Sequence, residues 1–252
     1  MLNAPSDQLY AGAQAPRGDF VFDERVARVF ADMIARSVPG WAELLRLIGL
    51  IGARLAQPGS RIYDLGCSLG ATSASLLARL PAPGFAAGAS RAPDAISLYA
   101  IDRAPAMIAE LRQRLATEIA AGRLQPICAD LLDVRIEDAS LVVMNLTLQF
   151  VDPRHRWALL RRIRAGLRPG GALILAEKIA ISDDDGLLAD LHADFKAAQG
   201  YSQLEIARKR SALEQVLIPD SPAEHLARLN EAGFSRVQPF FQCLNFVAWI
   251  AR

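Results

Sequence analysis

An alternation between residues 61 and 178 constrains the fold of this chain more than any other feature. Short, nearly continuous apolar runs are separated by stretches with apolar residues at helical three-and-four spacing. The runs are RIYDL (Arg61 to Leu65), SLYAID (Ser97 to Asp102), LQPICAD (Leu124 to Asp130), SLVVMN (Ser140 to Asn145) and ALILAEK (Ala172 to Lys178). The spacing predicts helices from about Thr72 to Leu80, Pro105 to Ala121 and Arg156 to Leu167. Strands that are apolar on both faces must be covered on both, and strands joined through helices run parallel. The pattern therefore predicts an α/β architecture around a mostly parallel sheet.

Upstream, DERVARVFADMIARSVPGWAELLRLIGLIGARLA keeps a helical period that Pro39 and Gly40 interrupt, predicting an N-terminal extension of two helices. Beyond Asp183 the pattern turns mostly helical to about Glu231, expected as a helical cap inserted at about 183–231. The end, SRVQPFFQCLNFVAWIA, predicts an antiparallel hairpin closing the sheet edge. Residues 1–20 are expected as a loose arm ahead of one domain at 21–252. The Ala/Gly/Pro-rich APGFAAGASRAP, within 81–95, is expected as a solvent loop, and Asp183 to Asp185 as a loop opening the cap.

Composition narrows the function classes. The chain has 252 residues, 52% of them hydrophobic, yet no apolar run approaches the roughly 20 residues of a membrane helix. The start lacks the basic and apolar regions of a secretory signal. Cys67, Cys128 and Cys243 are odd in number and lack metal-ligand spacing, so neither a disulfide framework nor a metal site is expected, and a reducing cytoplasm fits best. A net charge of +1 gives no drive toward nucleic acid or an anionic membrane. Six arginines, Arg154, Arg156, Arg161, Arg162, Arg164 and Arg168, crowd one predicted helix, expected as a solvated face. His155, His192 and His225 have no acidic or cysteine partner at ligand spacing and are expected as surface or packing residues.

The chemistry concentrates in YDLGCSLGA, Tyr63 to Ala71. A strand followed by Gly66, with Gly70 opening a helix, directs backbone N–H groups and a positive helix end to the carboxyl edge of the sheet, where open α/β folds bind ligands. The spacing is D-x-G-x-x-x-G rather than the dinucleotide G-x-G-x-x-G. A turn passing close to a nucleoside and an amino-acid carboxylate fits better than a pyrophosphate cradle; a strand-to-helix turn packed for structural reasons is the alternative. Ser68 fits such a turn if its backbone is ordinary and its hydroxyl faces the ligand. Asp102 ends the second strand, where an acidic side chain can take both ribose hydroxyls. Asp130 and Leu131 follow the third strand, placed to flank an adenine edge, and Asn145 ends the fourth.

From about Phe20 onward the chain resembles the class I S-adenosylmethionine-dependent methyltransferases, which have a Rossmann-like fold, and among them the carboxy-S-adenosyl-L-methionine synthase family. The resemblance rests on FDERVARVFADMIARSVPGW, QPGSRIYDLGCSLGATS, NLTLQFVDP, LRPGGALILAEK, GYSQLEIARKRSALE and AGFSRVQPFFQCLNF. It implies a seven-stranded sheet and nucleoside contacts from Trp41, Gly66, Cys67, Ser68, Asp102, Arg103, Asp130, Leu131, Asn145 and Arg210. Arg210 is implied on the carboxylate that distinguishes product from S-adenosylmethionine. Two positions depart from the family habit. Trp41 stands where tyrosine is usual and cannot accept a hydrogen bond, and Arg103 replaces a small polar residue.

The implied activity converts S-adenosylmethionine and prephenate to carboxy-S-adenosyl-L-methionine and phenylpyruvate, without a metal. The product serves a downstream transfer RNA carboxymethyltransferase that makes the 5-oxyacetic acid group on wobble uridine. A homodimer is implied, with no direct transfer RNA binding and no membrane partner. An ordinary small-molecule methyltransferase and an S-adenosyl nucleoside-binding protein without turnover are the rival readings.

Overall fold

The computed structural model describes residues 6–12, 15–16, 18–81, 95–180 and 186–252. The expected solvent loop at Ala82 to Pro93 and the Asp183 to Asp185 run lie outside the described residues. Two helices precede the sheet, α1 (Glu24–Ser37) and α2 (Trp41–Leu55), followed by β1 (Arg61–Leu65), α3 (Ala71–Leu77), β2 (Ser97–Asp102), α4 (Pro105–Arg114), α5 (Ala116–Ala120), β3 (Leu124–Cys128) and β4 (Ala139–Asn145). A single 3₁₀ turn, Leu148–Phe150, leads into α6 (Pro153–Gly166) and β5 (Leu167–Lys178). Then come α7 (Leu187–Ala198), α8 (Gln203–Leu213), α9 (Pro222–Glu231), β6 (Val237–Cys243) and β7 (Phe246–Ala251).

The seven strands order as β3-β2-β1-β4-β5-β7-β6. β1 to β5 pair in parallel, and β7 runs antiparallel between β5 and β6. The predicted C-terminal hairpin is present. Side chains of β4 alternate between two cores: Val142 and Met144 meet Leu159, Leu160 and Ile163 of α6 and Leu229 of α9. Leu141 and Val143 meet Leu44 and Ile48 of α2, Leu76 of α3 and Ile108 and Leu111 of α4. Both faces are covered, as the continuous apolar strands require. At Gly52 of α2 an added Cβ would lie 2.2 Å from Leu76 Cδ2, so a glycine there is what lets α2 press onto α3.

Several elements differ from expectation for local reasons. The helix expected over Pro105 to Ala121 breaks at Leu115 (φ −114°, ψ 28°), whose side chain lies over Gly70. β5 starts at Leu167, five residues before the apolar run, because Leu167 pairs with Ala139 before the register shifts. The arm expected to be loose is docked where it is described. Asp7 and Tyr10 are buried, Asp7 accepts from the Tyr201 hydroxyl at 2.5 Å, and Arg208 donates to the carbonyls of Tyr10 and Gly12. Tyr10 and Phe20 join α1, Met107 and Ala212 of α8 in a third apolar cluster.

The arginine-rich helix is a solvated face only in part: Arg154, Arg161 and Arg164 are exposed, but other arginines turn inward or hold neighbouring loops. Arg156 is fully buried against Asp220, while Arg162 and Arg164 donate to main-chain carbonyls of Leu131 and Gly233. These side chains tie loops to the helix.

Candidate functional site

β1 ends at Leu65, and the chain turns through Gly66 to Gly70 into α3. The N–H groups of Gly66 and Cys67 both donate to Ile101 O, at 2.8 and 3.0 Å, fastening the turn to the neighbouring strand. Gly66 has φ +75°, and a Cβ there would lie 2.4 Å from Thr147 Oγ1 and Cγ2, so only glycine fits. Ser68 corrects the expectation of an ordinary backbone: its φ is 48°, in the left-handed region that costs a non-glycine residue about 1–2 kcal/mol. That conformation aims the Ser68 N–H at Asp102 Oδ2, at 2.9 Å. The hydroxyl faces Met107 Sδ, 3.4 Å away.

Asp102 takes a second N–H, from Ala104, on Oδ1 at 2.9 Å. Each carboxylate oxygen retains a further acceptor site. Burial pushes the Asp102 carboxyl up, against the pull of the backbone donors at Ala104 and Ser68. Asp64 does a different job. It is buried beneath the turn, accepts from Ser73 Oγ at 2.6 Å, and is pushed up by burial to about 7. The Cys67 thiol is likewise raised by burial, then by Asp64 and Asp102, which removes it as a nucleophile.

On the other side of the turn, Asn145 donates from Nδ2 to Thr72 Oγ1 at 3.0 Å. Its Oδ1 is buried with no hydrogen-bond partner among the described residues. The chain then passes through Leu146 at φ 59°. Glu177 of β5 accepts three successive N–H groups, Thr147 at 3.1 Å, Leu148 at 2.7 Å and Gln149 at 3.1 Å. Burial raises this carboxyl to about 8, while the three donors and Arg156 pull it down. Glu177 thus anchors the segment that follows Asn145. Beyond β3, Asp130 Oδ1 accepts from Leu132 N at 2.8 Å, and Arg162 of α6 holds the Leu131 carbonyl at 2.8 Å.

These elements enclose a cavity of about 1040 Å³ at the carboxyl edge, where the strand order reverses between β1 and β4. Trp41, Gly66, Cys67, Ser68, Asp102, Arg103, Asp130, Leu131 and Asn145 all line it. The volume lies at the upper end of small-molecule pockets, roughly 300–1,000 Å³, which is room for a nucleoside and a second reactant. Arg210 is different: it is exposed and is not among the lining residues, although its charge reaches Lys178, His192 and Lys196, which are. Its neighbour Lys209 is buried and lines the cavity.

Sequence reasoning missed the cationic wall opposite the turn. Lys178 ends β5, Lys196 and His192 come from α7, and Lys209 from α8; all four line the cavity. His192 was expected at the surface or in packing. It is buried, with Nε2 2.8 Å from Ser37 O, and burial followed by Lys196 drives its pKa to about 3, so it stays neutral. Burial, then Lys178, Lys209 and Arg210, pulls Lys196 to about 7. The available signal was the polar pair Glu177–Lys178 closing an otherwise apolar strand. For Lys196 and Lys209 no local signal existed, because the packing of α7 and α8 decides which side chains face inward.

Residues 62–171 match a family model described as a methyltransferase domain. The carboxy-S-adenosyl-L-methionine synthase of Trichlorobacter lovleyi is 49% identical over 99% of this chain and 99% of its own length. The enzyme of the same name from Geobacter metallireducens is 50% identical over 98% of each, and that from Yersinia pestis 45% over 97% of this chain and 88% of its own. Among solved structures, the mitomycin 7-O-methyltransferase superposes with a TM-score of 0.57 at 18% identity, covering 91% of this chain and 57% of its own length. Human N-acetylserotonin methyltransferase in complex with SAM gives 0.59 at 17%, covering 91% and 55%. The structural matches establish the class I methyltransferase fold. Near full-length identity of this order establishes more: the chain belongs to the carboxy-S-adenosyl-L-methionine synthase family, and is an enzyme that forms carboxy-S-adenosyl-L-methionine from S-adenosylmethionine.

Proposed function

We propose that the carboxyl group comes from prephenate, which leaves as phenylpyruvate, and that the product supplies the 5-oxyacetic acid modification of wobble uridine in transfer RNA through a downstream carboxymethyltransferase. One observation carries the donor reading: the cavity joins nucleoside-facing acceptors to a wall of lysines, so an anion fits beside the nucleoside. Asp102 takes the ribose diol. The free Asn145 Oδ1 takes the amino group of the amino-acid end, Asp130 and Leu131 flank the adenine, Trp41 stacks, and Gly66 to Ser68 let the ligand approach the main chain.

The chemistry asks for no strong base. Prephenate loses its ring carboxyl as carbon dioxide and its ring hydroxyl as hydroxide, driven by aromatisation. The hydroxide takes a proton from the sulfonium methyl, giving water, and the carbon so freed bonds to carbon dioxide. The protein's part is to exclude water and hold anions. The test is mass spectrometry of the nucleoside after incubation with S-adenosylmethionine, with and without prephenate. A prephenate-dependent species heavier by one carboxyl group supports the reading. Methyl transfer to an added nucleophile, with no such species, removes it.

Arg210 is proposed as the grip on the new carboxylate. Its charge already bears on Lys178, which burial and then Arg210 hold below its ordinary range, so it stands near that wall. A homodimer is proposed as well, supported by the exposed Leu187 and Leu191 of α7 and Leu204 of α8. Arg210→Ala is expected to lower affinity for the carboxylated nucleoside about tenfold, the low end for a hydrogen bond to a charged group. Affinity for S-adenosylhomocysteine, which lacks that carboxylate, should stay the same. Equal losses on calorimetry would make Arg210 structural.

No direct transfer RNA contact is proposed. Arg154, Arg156 and Arg164 of the basic helix and Arg168 at the start of β5 already have partners within the chain, leaving few phosphate ligands there. Gel shifts near physiological salt should show no tight, salt-sensitive binding; such binding would make this helix a recognition surface.

A further inference from the structure

The three lysines of the cavity wall are not equivalent. Lys209 is already engaged: its Nζ donates to Ser37 Oγ at 3.0 Å and sits 3.6 Å from the buried Asp7 carboxylate. Lys178 and Lys196 are half-buried and face the same cavity, yet neither ammonium has a carboxylate or hydrogen-bond partner among the described residues. Partly desolvated cations placed beside one another without a counter-ion do nothing for packing. A bound anion completes such a wall.

We propose that Lys178, from the end of β5, and Lys196, from α7, form the seat for the carboxylate that the donor keeps, the α-keto carboxylate carried through to phenylpyruvate. This rests on the donor reading above. The assignment to the retained carboxylate follows from the chemistry. An ion pair to the departing carboxylate would stabilise the ground state and oppose loss of carbon dioxide, because only interactions stronger in the transition state accelerate the step. An ion pair to the retained carboxylate is unaffected by the reaction and holds the ring against the nucleoside. Burial first, then the charges of Lys178, Lys209 and Arg210, pull Lys196 down, and a carboxylate seated between Lys178 and Lys196 would act against that shift. A further consequence is that phenylpyruvate occupies the same seat and inhibits in competition with prephenate.

The experiment compares wild type with Lys178→Gln and Lys196→Gln. Each substitution is expected to raise the KM for prephenate and the inhibition constant of phenylpyruvate together, by about tenfold or more, as loss of one partner of a charge pair requires. S-adenosylhomocysteine affinity should change less than twofold. That control excludes misfolding, and also excludes the alternative that these lysines hold the amino-acid carboxylate of the nucleoside, which S-adenosylhomocysteine shares. A fall in S-adenosylhomocysteine affinity equal to the rise in KM overturns the proposal. So does a raised KM for prephenate with unchanged phenylpyruvate inhibition, which would put the lysines on the departing carboxylate. If wild type makes no carboxylated nucleoside from prephenate, the donor reading fails separately. Calorimetry of phenylpyruvate binding to the S-adenosylhomocysteine complex then decides: lysine-dependent binding upholds a carboxylate seat, and no binding to wild type ends it.

Discussion

Asp102→Ala is expected to weaken S-adenosylmethionine, S-adenosylhomocysteine and the carboxylated product together, by about 100-fold or more. Two charge-assisted hydrogen bonds to a ribose diol contribute about 1.5–3 kcal/mol each before water substitutes for them. The carboxylate also organises the turn, since Ser68 N and Ala104 N both donate to it at 2.9 Å. Without that acceptor, the left-handed conformation of Ser68 loses the contact that offsets its strain. Asp102→Asn keeps one acceptor oxygen and should lose less. Calorimetry with each nucleoside reads the effect, and unchanged affinity in the alanine variant would remove the ribose role.

Arg156→Met is the substitution expected to reduce stability most. The guanidinium is fully buried and donates to Val151 O at 2.8 Å, Ile218 O at 2.8 Å, Gln149 O at 3.3 Å and Asp220 Oδ2 at 2.6 Å. Arg228 shares Asp220, at 2.6 and 3.2 Å, but reaches none of those carbonyls. Methionine fills much of the volume and leaves the Val151 and Ile218 carbonyls without that donor and a half-neutralised carboxylate in the interior, since Gln149 O keeps the N–H of Ile218; this costs about 3–5 kcal/mol. For a domain of this size that lowers the melting temperature by roughly 10 °C. Arg154→Met, which breaks an exposed pair with Asp152, should shift it by no more than a degree or two. Equal shifts in the two variants would show that Arg228 compensates. Because Gln149 lines the cavity, the Arg156 variant should also bind nucleoside more weakly.

The sheet was legible because its central strands are apolar on both faces; β4 from Ala139 to Met144 is buried throughout. The gathering of Gly66, Cys67, Ser68, Asp102, Asp130, Leu131 and Asn145 around one cavity was legible because these residues sit at strand ends and in one short turn, where sequence neighbours stay neighbours in space. The left-handed Ser68 was not, since it depends on an acceptor 34 residues away. The docked arm was not either: Asp7 finds Tyr201 across a separation of 194 residues, and no local pattern marks such a pair. The adjacent Lys209 and Arg210 show the same limit more sharply. Successive helix positions point about 100° apart, and only the packing of α8 decides that Lys209 faces inward in this chain while Arg210 stays at the surface.

The central claim is that the cavity moves a carboxyl carbon from the donor onto the sulfonium methyl. It is tested most directly with prephenate carrying ¹³C at the ring carboxyl, incubated with the enzyme and unlabelled S-adenosylmethionine and followed by mass spectrometry. The account predicts that the label appears in the nucleoside as one added carboxyl group, in step with unlabelled phenylpyruvate. Product that carries no label, or phenylpyruvate formed while the nucleoside stays unchanged, would contradict it.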